Sequence, residues 1–85
     1  MKTWIKSYVD DKIVKSIIIN RKTHLNRALF DDIIREACYE FDFSTPVILP
    51  SHFNHFLEFN VVKFLPRDFI EPVNFDWLVV EICNS

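Results

Sequence analysis

The sequence predicts one small α+β domain, in which a mostly antiparallel sheet is covered on one face by a single main helix. The chain has 85 residues, enough for one hydrophobic core and one domain over residues 1–85. Both ends of the chain are rich in β-branched and aromatic residues, which favour strands. Between them lies one long segment whose apolar residues recur at helical spacing. The predicted sheet therefore combines an N-terminal hairpin with C-terminal strands, and a second, short helix completes the fold.

The predicted main helix covers residues 25–41, with the sequence LNRALFDDIIREACYEF. At about 100° per residue, its apolar side carries Leu29, Phe30, Ile33, Ile34, Ala37 and Phe41, and its polar side carries Asp31, Asp32 and Arg35. An apolar stripe this wide is typical of a helix that lies on a sheet. Thr23 and Asn26 are both suitable N-caps, and the sequence does not choose between them.

Four segments have the composition of strands, and they cover residues 2–9, 13–20, 60–65 and 76–83. The first two flank Asp10-Asp11-Lys12, which predicts a β-hairpin because aspartate tolerates the positive φ of a tight turn. In the last segment Leu78, Val80 and Ile82 face one way and form a purely apolar face. We therefore expect the last strand to lie inside the sheet.

The second helix is predicted to start with Ser51 as its N-cap. Phe53, Phe56 and Leu57 have i, i+3, i+4 spacing and form its predicted buried side. The preceding apolar run, residues 47–49, lies between two prolines, which cannot donate to a strand ladder. That run is predicted to be either an edge strand or an apolar loop packed under the main helix.

Composition and charge argue against nucleic acid and membrane as partners. The net charge is −2 and the pI about 5.8, whereas nucleic-acid binders usually carry a basic excess. No apolar run approaches the roughly 20 residues that span a bilayer. Charges at Lys6 and Asp10 interrupt the region where a signal peptide is apolar, so we expect a cytoplasmic protein. In that reducing compartment Cys38 and Cys83 are expected to be small buried residues.

The chain contains no glycine. The P-loop, the GxGxxG dinucleotide-binding loop and the GxSxG nucleophile elbow are therefore all excluded. Each of these motifs needs backbone conformations or close approaches that glycine allows most easily. We expect no cofactor, and we expect aspartate, asparagine, serine and proline to form the turns.

The best candidate for a metal site is His52 with His55, and His24 and Glu58 are further candidate ligands. Two histidines at i, i+3 can share a helix face, as zinc sites require. The predicted apolar side of the same helix, however, directs both histidines into water. Zincin motifs also have i, i+4 spacing with a glutamate after the first histidine, and here Phe53 follows it. Surface histidines are the favoured interpretation, and a small metal-dependent hydrolase that uses His52 and His55 is the alternative.

Three further groups have the residue types of a chemical site. An acidic side of the main helix carries Asp31, Asp32, Glu36 and Glu40. That pattern is typical of a solvated face, although paired carboxylates can act as general acid and base. Cys38 is the one nucleophile candidate, and no base lies near it in the sequence. Arg67-Asp68 is a charged pair that could bind a carboxylate-bearing partner, but an internal Arg–Asp pair that fixes the turn is favoured.

Three blocks of the sequence resemble a known group of proteins. The blocks CYEFD at 38–42, TPVIL at 45–49 and FLPRDFIEPVNFD at 64–76 resemble those of short, uncharacterised bacterial proteins of Gram-positive type. The resemblance covers about the C-terminal two-thirds of the chain, and it departs at Ile48, where that group has a tryptophan. It implies a compact cytosolic bacterial domain, and it carries over no catalytic residues.

The sequence therefore predicts a non-catalytic interaction module that self-associates as a homodimer or binds another protein. The hydrophobic content of 49% and the nine phenylalanines indicate either a core rich in large side chains or an apolar surface that a second subunit covers, and the missing catalytic motifs favour an interaction role. The contact would use the uncovered sheet face or an exposed edge, with Trp4, Tyr8, Arg67 and Trp77 as candidate partner-binding residues. A nucleic-acid-binding accessory protein that uses the basic residues near the hairpin is a further alternative.

Overall fold

A computed structural model describes residues 1–83, and it confirms the predicted α+β fold. The elements in chain order are β1 (Lys2–Val9), β2 (Lys12–Asn20), α1 (Arg27–Glu40), α2 (Pro50–Phe59), β3 (Val61–Phe64), a 3₁₀ turn (Pro66–Asp68) and β4 (Trp77–Ile82). The four strands form one antiparallel sheet in the order β2-β1-β4-β3. The last strand therefore lies inside the sheet, as its apolar face predicts, and β2 and β3 form the two edges.

The turn between β1 and β2 is made without glycine. Asp10 and Asp11 have φ values of 52° and 64°, the left-handed values that a two-residue type I′ turn requires. Aspartate tolerates this region because its short side chain can hydrogen-bond locally. Asp76 Oδ2 accepts a hydrogen bond from the Asp10 N–H at 2.8 Å, which ties the turn to the start of β4. The other positive φ values in the described chain belong to Asp42 and Asn60, so aspartate and asparagine make these turns as predicted.

Helix α1 has its apolar stripe against the sheet, as its periodicity predicts. It begins at Arg27 because Asn26 is the N-cap, and Asn26 Oδ1 accepts a hydrogen bond from the Leu29 N–H at 2.8 Å. This bond decides between the two caps that the sequence allows. The buried residues of the helix are Phe30, Ile33, Ile34, Ala37 and Cys38.

The core lies between the sheet and the two helices, which share one face of it. Helix α1 lies over β1 and β2, and α2 packs against β3. The core residues outside α1 include Ile5, Phe56, Val62, Phe64, Phe69, Phe75, Leu78 and Val80. The rings of Phe30 and Phe56 join the two helices, with their centroids 5.0 Å apart. Each such buried side chain stabilises the fold by roughly 1.5–3 kcal/mol, which is how so short a chain sustains a core.

Helix α2 differs from its prediction at its start and on its buried side. It begins at Pro50, and Leu49 rather than Ser51 occupies the N-cap position. The His52 side chain forms the return half of a capping box, because its Nδ1 accepts a hydrogen bond from the Leu49 N–H at 2.9 Å. The predicted burial of Leu57 was wrong, since this side chain is 51% exposed. The helix lies beside the edge strand β3, where the domain covers only the part around Phe56.

Residues 47–49 form an apolar loop and not an edge strand. The Val47 N–H donates to the carbonyl oxygen of Asp68 at 2.8 Å, and the Ile48 carbonyl accepts from the Arg27 guanidinium at 2.7 Å. Ile48 packs against the core. The flanking prolines keep the run out of the sheet, so the loop is the correct one of the two predicted alternatives.

Candidate interaction surface

One face of the sheet carries no helix. Side chains alternate between the two faces along each strand, so the residues between those of the core point away from both helices. This surface, here called the open face, comprises Ile13, Ser16, Ile18 and Asn20 of β2, Lys2, Trp4, Lys6 and Tyr8 of β1, Trp77, Val79 and Glu81 of β4, and Val61 and Lys63 of β3. It is aromatic at its centre, and at the β2 edge it carries the exposed Ile13 and Ile18 together with uncharged polar residues.

Three aromatic residues form the centre of the open face. Tyr8 and Trp77 are opposite each other on β1 and β4, and their rings stack with centroids 5.7 Å apart and planes at 29°. Trp4 lies on the same face of β1, with the Lys6 ammonium 3.9 Å from its ring centroid. The Lys63 ammonium lies 4.6 Å from the ring centroid of Trp77. These cation–π contacts hold the tryptophan rings in defined positions.

Lys6 is the most buried charged residue of the open face, with only 5% of its surface exposed. Its ammonium forms an ion pair with Glu81 Oε1 on β4. An ammonium with so little access to water is costly unless it is paired, so Lys6 needs Glu81. The sequence patterns do not predict this pair. The alternation of Trp4, Lys6 and Tyr8 places the lysine between two rings on one face, but it does not indicate the partner carboxylate.

β2 is a nine-residue edge strand with exposed apolar side chains. Val14 and Ile18 are each 58% exposed. The register with β1 shifts at Val14, which is the extra residue of a β-bulge. Bulges and edge lysines both hinder pairing with another chain, and Lys12 and Lys15 lie in the same half as the bulge. The other half, residues 16–20, is regular and uncharged.

The opposite edge of the sheet is better protected. β3 has only four residues, and its Lys63 side chain is exposed. Helix α2 also packs against this strand. A short strand with an edge lysine is a poor template for another strand. Of the two edges, β2 is therefore the one suited to strand pairing.

The structure brings together three of the four candidate partner-binding residues. Trp4, Tyr8 and Trp77 all lie on the open face. Arg67 lies apart from them, in the 3₁₀ turn between β3 and β4, and its side chain is exposed. The three aromatic residues therefore form one surface, which Arg67 does not join.

His52 is not solvated as predicted, because it links α2 to the 3₁₀ turn. Its ring lies 4.4 Å from that of Phe64 between centroids, and Nε2 lies 3.8 Å from Asp68 Oδ1. Burial lowers the pKa of His52 below its usual 6.5; the Asp68 carboxylate opposes this shift, and the Arg27 guanidinium adds to it. Asp68 Oδ2 also accepts a hydrogen bond from the Leu65 N–H at 2.7 Å. Asp68 therefore fixes the turn through these contacts and not through the predicted pair with its neighbouring arginine.

The two candidate zinc-binding histidines have different surroundings. His52 is engaged with the 3₁₀ turn, whereas His55 is exposed and its ring lies 4.6 Å from that of Phe59 between centroids. Zinc sites need three or four protein ligands. Within residues 1–83, no group of three or more histidine, cysteine, aspartate and glutamate side chains is placed to hold a metal ion.

The acidic side of α1 and the buried thiol both have structural roles. Three carboxylates pair with arginines at N–O distances of 2.7–2.9 Å, and the pairs are Arg21–Glu36, Arg27–Asp31 and Asp32–Arg35. Cys38 is fully buried, and burial raises the pKa of its thiol to about 12. Such a thiol holds almost no thiolate at neutral pH, so Cys38 acts as a packing residue.

A hollow of about 570 Å³ opens beside the β2 bulge. Val14 and Lys15 line one side of it, and a group of phenylalanines that includes Phe41 and Phe43 lines another. The Lys15 ammonium donates to the Phe41 carbonyl at 2.7 Å and lies 4.8 Å from the Phe43 ring centroid. The lysine that lines the hollow is thus already bound within the fold.

Comparisons with known proteins add no assignment to this geometry. No family model, no curated protein and no solved structure matches the chain. No helix within residues 1–83 is long and apolar enough to span a bilayer. The surface residues themselves are therefore the basis for a functional assignment.

Proposed function

We propose that the protein is a non-catalytic interaction module that binds a second copy of itself through the uncovered part of its sheet. The observation that carries this proposal is the one-sided covering of the sheet, with both helices on one face. The open face and the β2 edge remain outside that core. Ile13 and Ile18 are exposed there beside half-buried aromatic rings, and exposed apolar patches commonly mark contact sites.

The composition of the open face supports an interaction role. Tryptophan and tyrosine are enriched at protein interfaces, where unpaired charges are depleted. Trp4, Tyr8 and Trp77 provide the rings, and the buried charge of Lys6 is neutralised by Glu81. Neighbouring side chains already position these rings, so a partner on this face would cost little side-chain entropy, apart from the contact between two copies at the β2 edge.

The β2 edge supports a second copy as the partner. Its regular half presents exposed isoleucine and backbone groups that an added β-strand can satisfy. A two-fold homodimer needs only one patch that is complementary to itself, and it is the commonest soluble assembly. An antiparallel strand that pairs with its own copy meets this requirement.

Self-association is tested by sedimentation equilibrium from low to high micromolar concentration. We expect the average mass to rise from 10.2 kDa toward twice that value as the concentration increases. A mass that stays at the monomer value throughout this range would contradict the proposal.

A pair of matched variants locates the contact. Ile18→Lys places a charge on the β2 edge, and it should shift the protein to monomer because the lysine would have to be desolvated in the contact. Ile70→Lys is the control, since Ile70 is 85% exposed and lies outside the sheet. The control should associate like the wild type. Equal association of both variants would place the contact elsewhere.

A further inference from the structure

We infer that two copies join by antiparallel pairing of β2 with β2, with the two-fold axis at Ile18. The two four-stranded sheets then become one continuous sheet with all helices on one side. This inference depends on the proposed self-association and specifies its geometry. The partner is a second copy of this chain, and the contact is an edge contact that leaves the aromatic centre of the open face uncovered.

The backbone of β2 determines which of its residues can pair with another strand. Met1 and Arg21 exchange both of their backbone hydrogen bonds, at 2.8 and 3.0 Å. Hydrogen-bonded and non-hydrogen-bonded residue pairs alternate along an antiparallel ladder. Every second residue of β2, counted from Arg21 back to the bulge, therefore forms its backbone hydrogen bonds with β1. The residues between those bonded to β1 direct their backbone N–H and C=O groups to the free edge of the sheet. These residues are Ser16, Ile18 and Asn20.

These three residues determine the register. A two-fold axis at Ile18 places it opposite its own copy and places Ser16 opposite Asn20. All edge-directed groups of the regular half then pair, with about six backbone hydrogen bonds between the copies. A shift of the register by two residues loses about two of these bonds. A shift by one residue places side chains of opposite faces across from each other, which the pleat does not allow.

The same register matches the side chains of the two copies. On the open face Ile18, which is 58% exposed, meets Ile18 of the second copy, and Ser16 meets Asn20. On the helix-covered side Ile17 meets Ile19. Pairs of β-branched residues directly across two strands stabilise the pairing. The most exposed isoleucine of the strand is therefore covered by its own symmetry mate.

The charges near the contact are compatible with pairing. The paired stretch, residues 16–20, carries no charge. Beyond it, Lys15 of one copy lies opposite Arg21 of the other, whose guanidinium binds Glu36 at 2.7 Å. The lysine therefore meets an ion pair and not a lone cation, and the Glu36 carboxylate offsets the repulsion.

A cysteine at the axis tests the geometry directly. Opposite residues in a hydrogen-bonded pair have Cα atoms about 5.5 Å apart, within the range that a disulfide spans. We expect Ile18→Cys, in a Cys83→Ser background, to form a covalent dimer under mild oxidation. Ile13→Cys in the same background is the control, because its two copies would lie about 30 Å apart along the paired strands. Cys38 does not interfere, because it is fully buried.

Proline at Ser16 tests the backbone hydrogen bonds. The Ser16 N–H points to the free edge, so Ser16→Pro removes no bond within one copy, and edge strands tolerate proline there. We expect the dissociation constant of the dimer to rise by about tenfold or more. Ser16→Ala retains the N–H and should change the constant by less than about twofold. Circular dichroism checks that both variants fold. If Ser16→Pro does not fold, the disulfide cross-link at residue 18 decides whether the β2 strands pair.

Packing of two open faces is the competing geometry, and Val61→Lys distinguishes it. Val61 lies on the open face at the β3 edge, away from β2, so this variant should remain dimeric if β2 strands pair. Loss of the dimer in Val61→Lys, with a dimeric Ser16→Pro and no cross-link at residue 18, would overturn the edge geometry and leave self-association intact. A strictly monomeric wild type would instead overturn the proposed function.

Discussion

The two faces of the sheet differ in how their side chains are stabilised. On the helix-covered face Ile5, Leu78 and Val80 are fully buried among the side chains of both helices. On the open face Trp4 and Tyr8 are only half-buried, and they contact a lysine between them. Removal of apolar surface from water stabilises the first face. Ring contacts, cations and one ion pair order the second face.

This difference separates folding from binding within one sheet. Substitutions on the covered face should act mainly on the free energy of unfolding, because they leave cavities that the packed core cannot close. Substitutions at the exposed β2 edge should act mainly on association, because a single copy makes few contacts there. Substitutions in the Lys6–Glu81 pair at the centre of the open face should have an intermediate effect on the free energy of unfolding. Lys6 is buried there although no helix covers it.

The largest effect on stability is expected on the covered face. Phe30 is 1% exposed, and its ring centroid lies 5.3 Å from that of Phe53 and 5.0 Å from that of Phe56. Phe30→Ala should lower the free energy of unfolding by about 3–5 kcal/mol, as measured by urea unfolding. The matched substitution Ile18→Ala, at a concentration where the protein is monomeric, should cost less than about 1 kcal/mol. A similar loss of unfolding free energy in both variants would show that the two faces do not differ in their contribution to stability.

An intermediate effect is expected at the buried ion pair. Glu81→Gln leaves the Lys6 ammonium, whose side chain is 7% exposed, without its counter-charge. The free energy of unfolding should fall by about 1–3 kcal/mol. Asp32→Asn is the control, because the Asp32–Arg35 pair is more than 60% exposed on both sides and should contribute less than about 0.5 kcal/mol. If the free energy of unfolding falls equally little in both variants, Lys6 does not need Glu81 for folding.

The smallest effect is expected from protonation of His52. Its pKa in the folded protein is below 6.5, so the unfolded chain binds the proton first as the pH falls. The stability from His52 is therefore fully present above pH 6.5 and declines below it. In urea unfolding, the stability difference between the wild type and His52→Ala should shrink by up to about 1 kcal/mol between about pH 7.5 and pH 5.5.

The exposed histidine of the same helix provides the control for this pH dependence. His55→Ala removes an imidazole of the same size from the outer side of α2. The stability difference between the wild type and His55→Ala is subtracted from that of His52→Ala at each pH, so that only the pH dependence particular to His52 remains. A difference for His52→Ala that does not change with pH after this correction would show that folding does not lower the pKa of His52.

Much of the fold could be predicted because its signals are local. The 3.6-residue period of residues 25–41 indicated α1, and the alternation in 76–83 indicated an interior strand. The surroundings of His52 could not be predicted in this way. They depend on Phe64 and Asp68, which approach the histidine only because α2 lies beside β3.

The candidate surface was predictable in part for the same reason. Residue type alone selected Trp4, Tyr8 and Trp77, and their role in partner binding stays a prediction. Their proximity depends on the pairing of β1 with β4, the two ends of the described chain. The ion pair of Lys6 with Glu81 joins residues 75 positions apart, so no local pattern could identify it.

The sequence by itself determined the fold class, the main helix with its buried side, and the use of aspartate and asparagine in turns that lack glycine. These features follow from backbone geometry and from the spacing of apolar residues along a few turns or strands. Only the tertiary structure decided which sheet face stays open, which edge is free and which lysine is buried. Those features follow from the strand order β2-β1-β4-β3, which joins distant segments and leaves no periodic trace in the sequence.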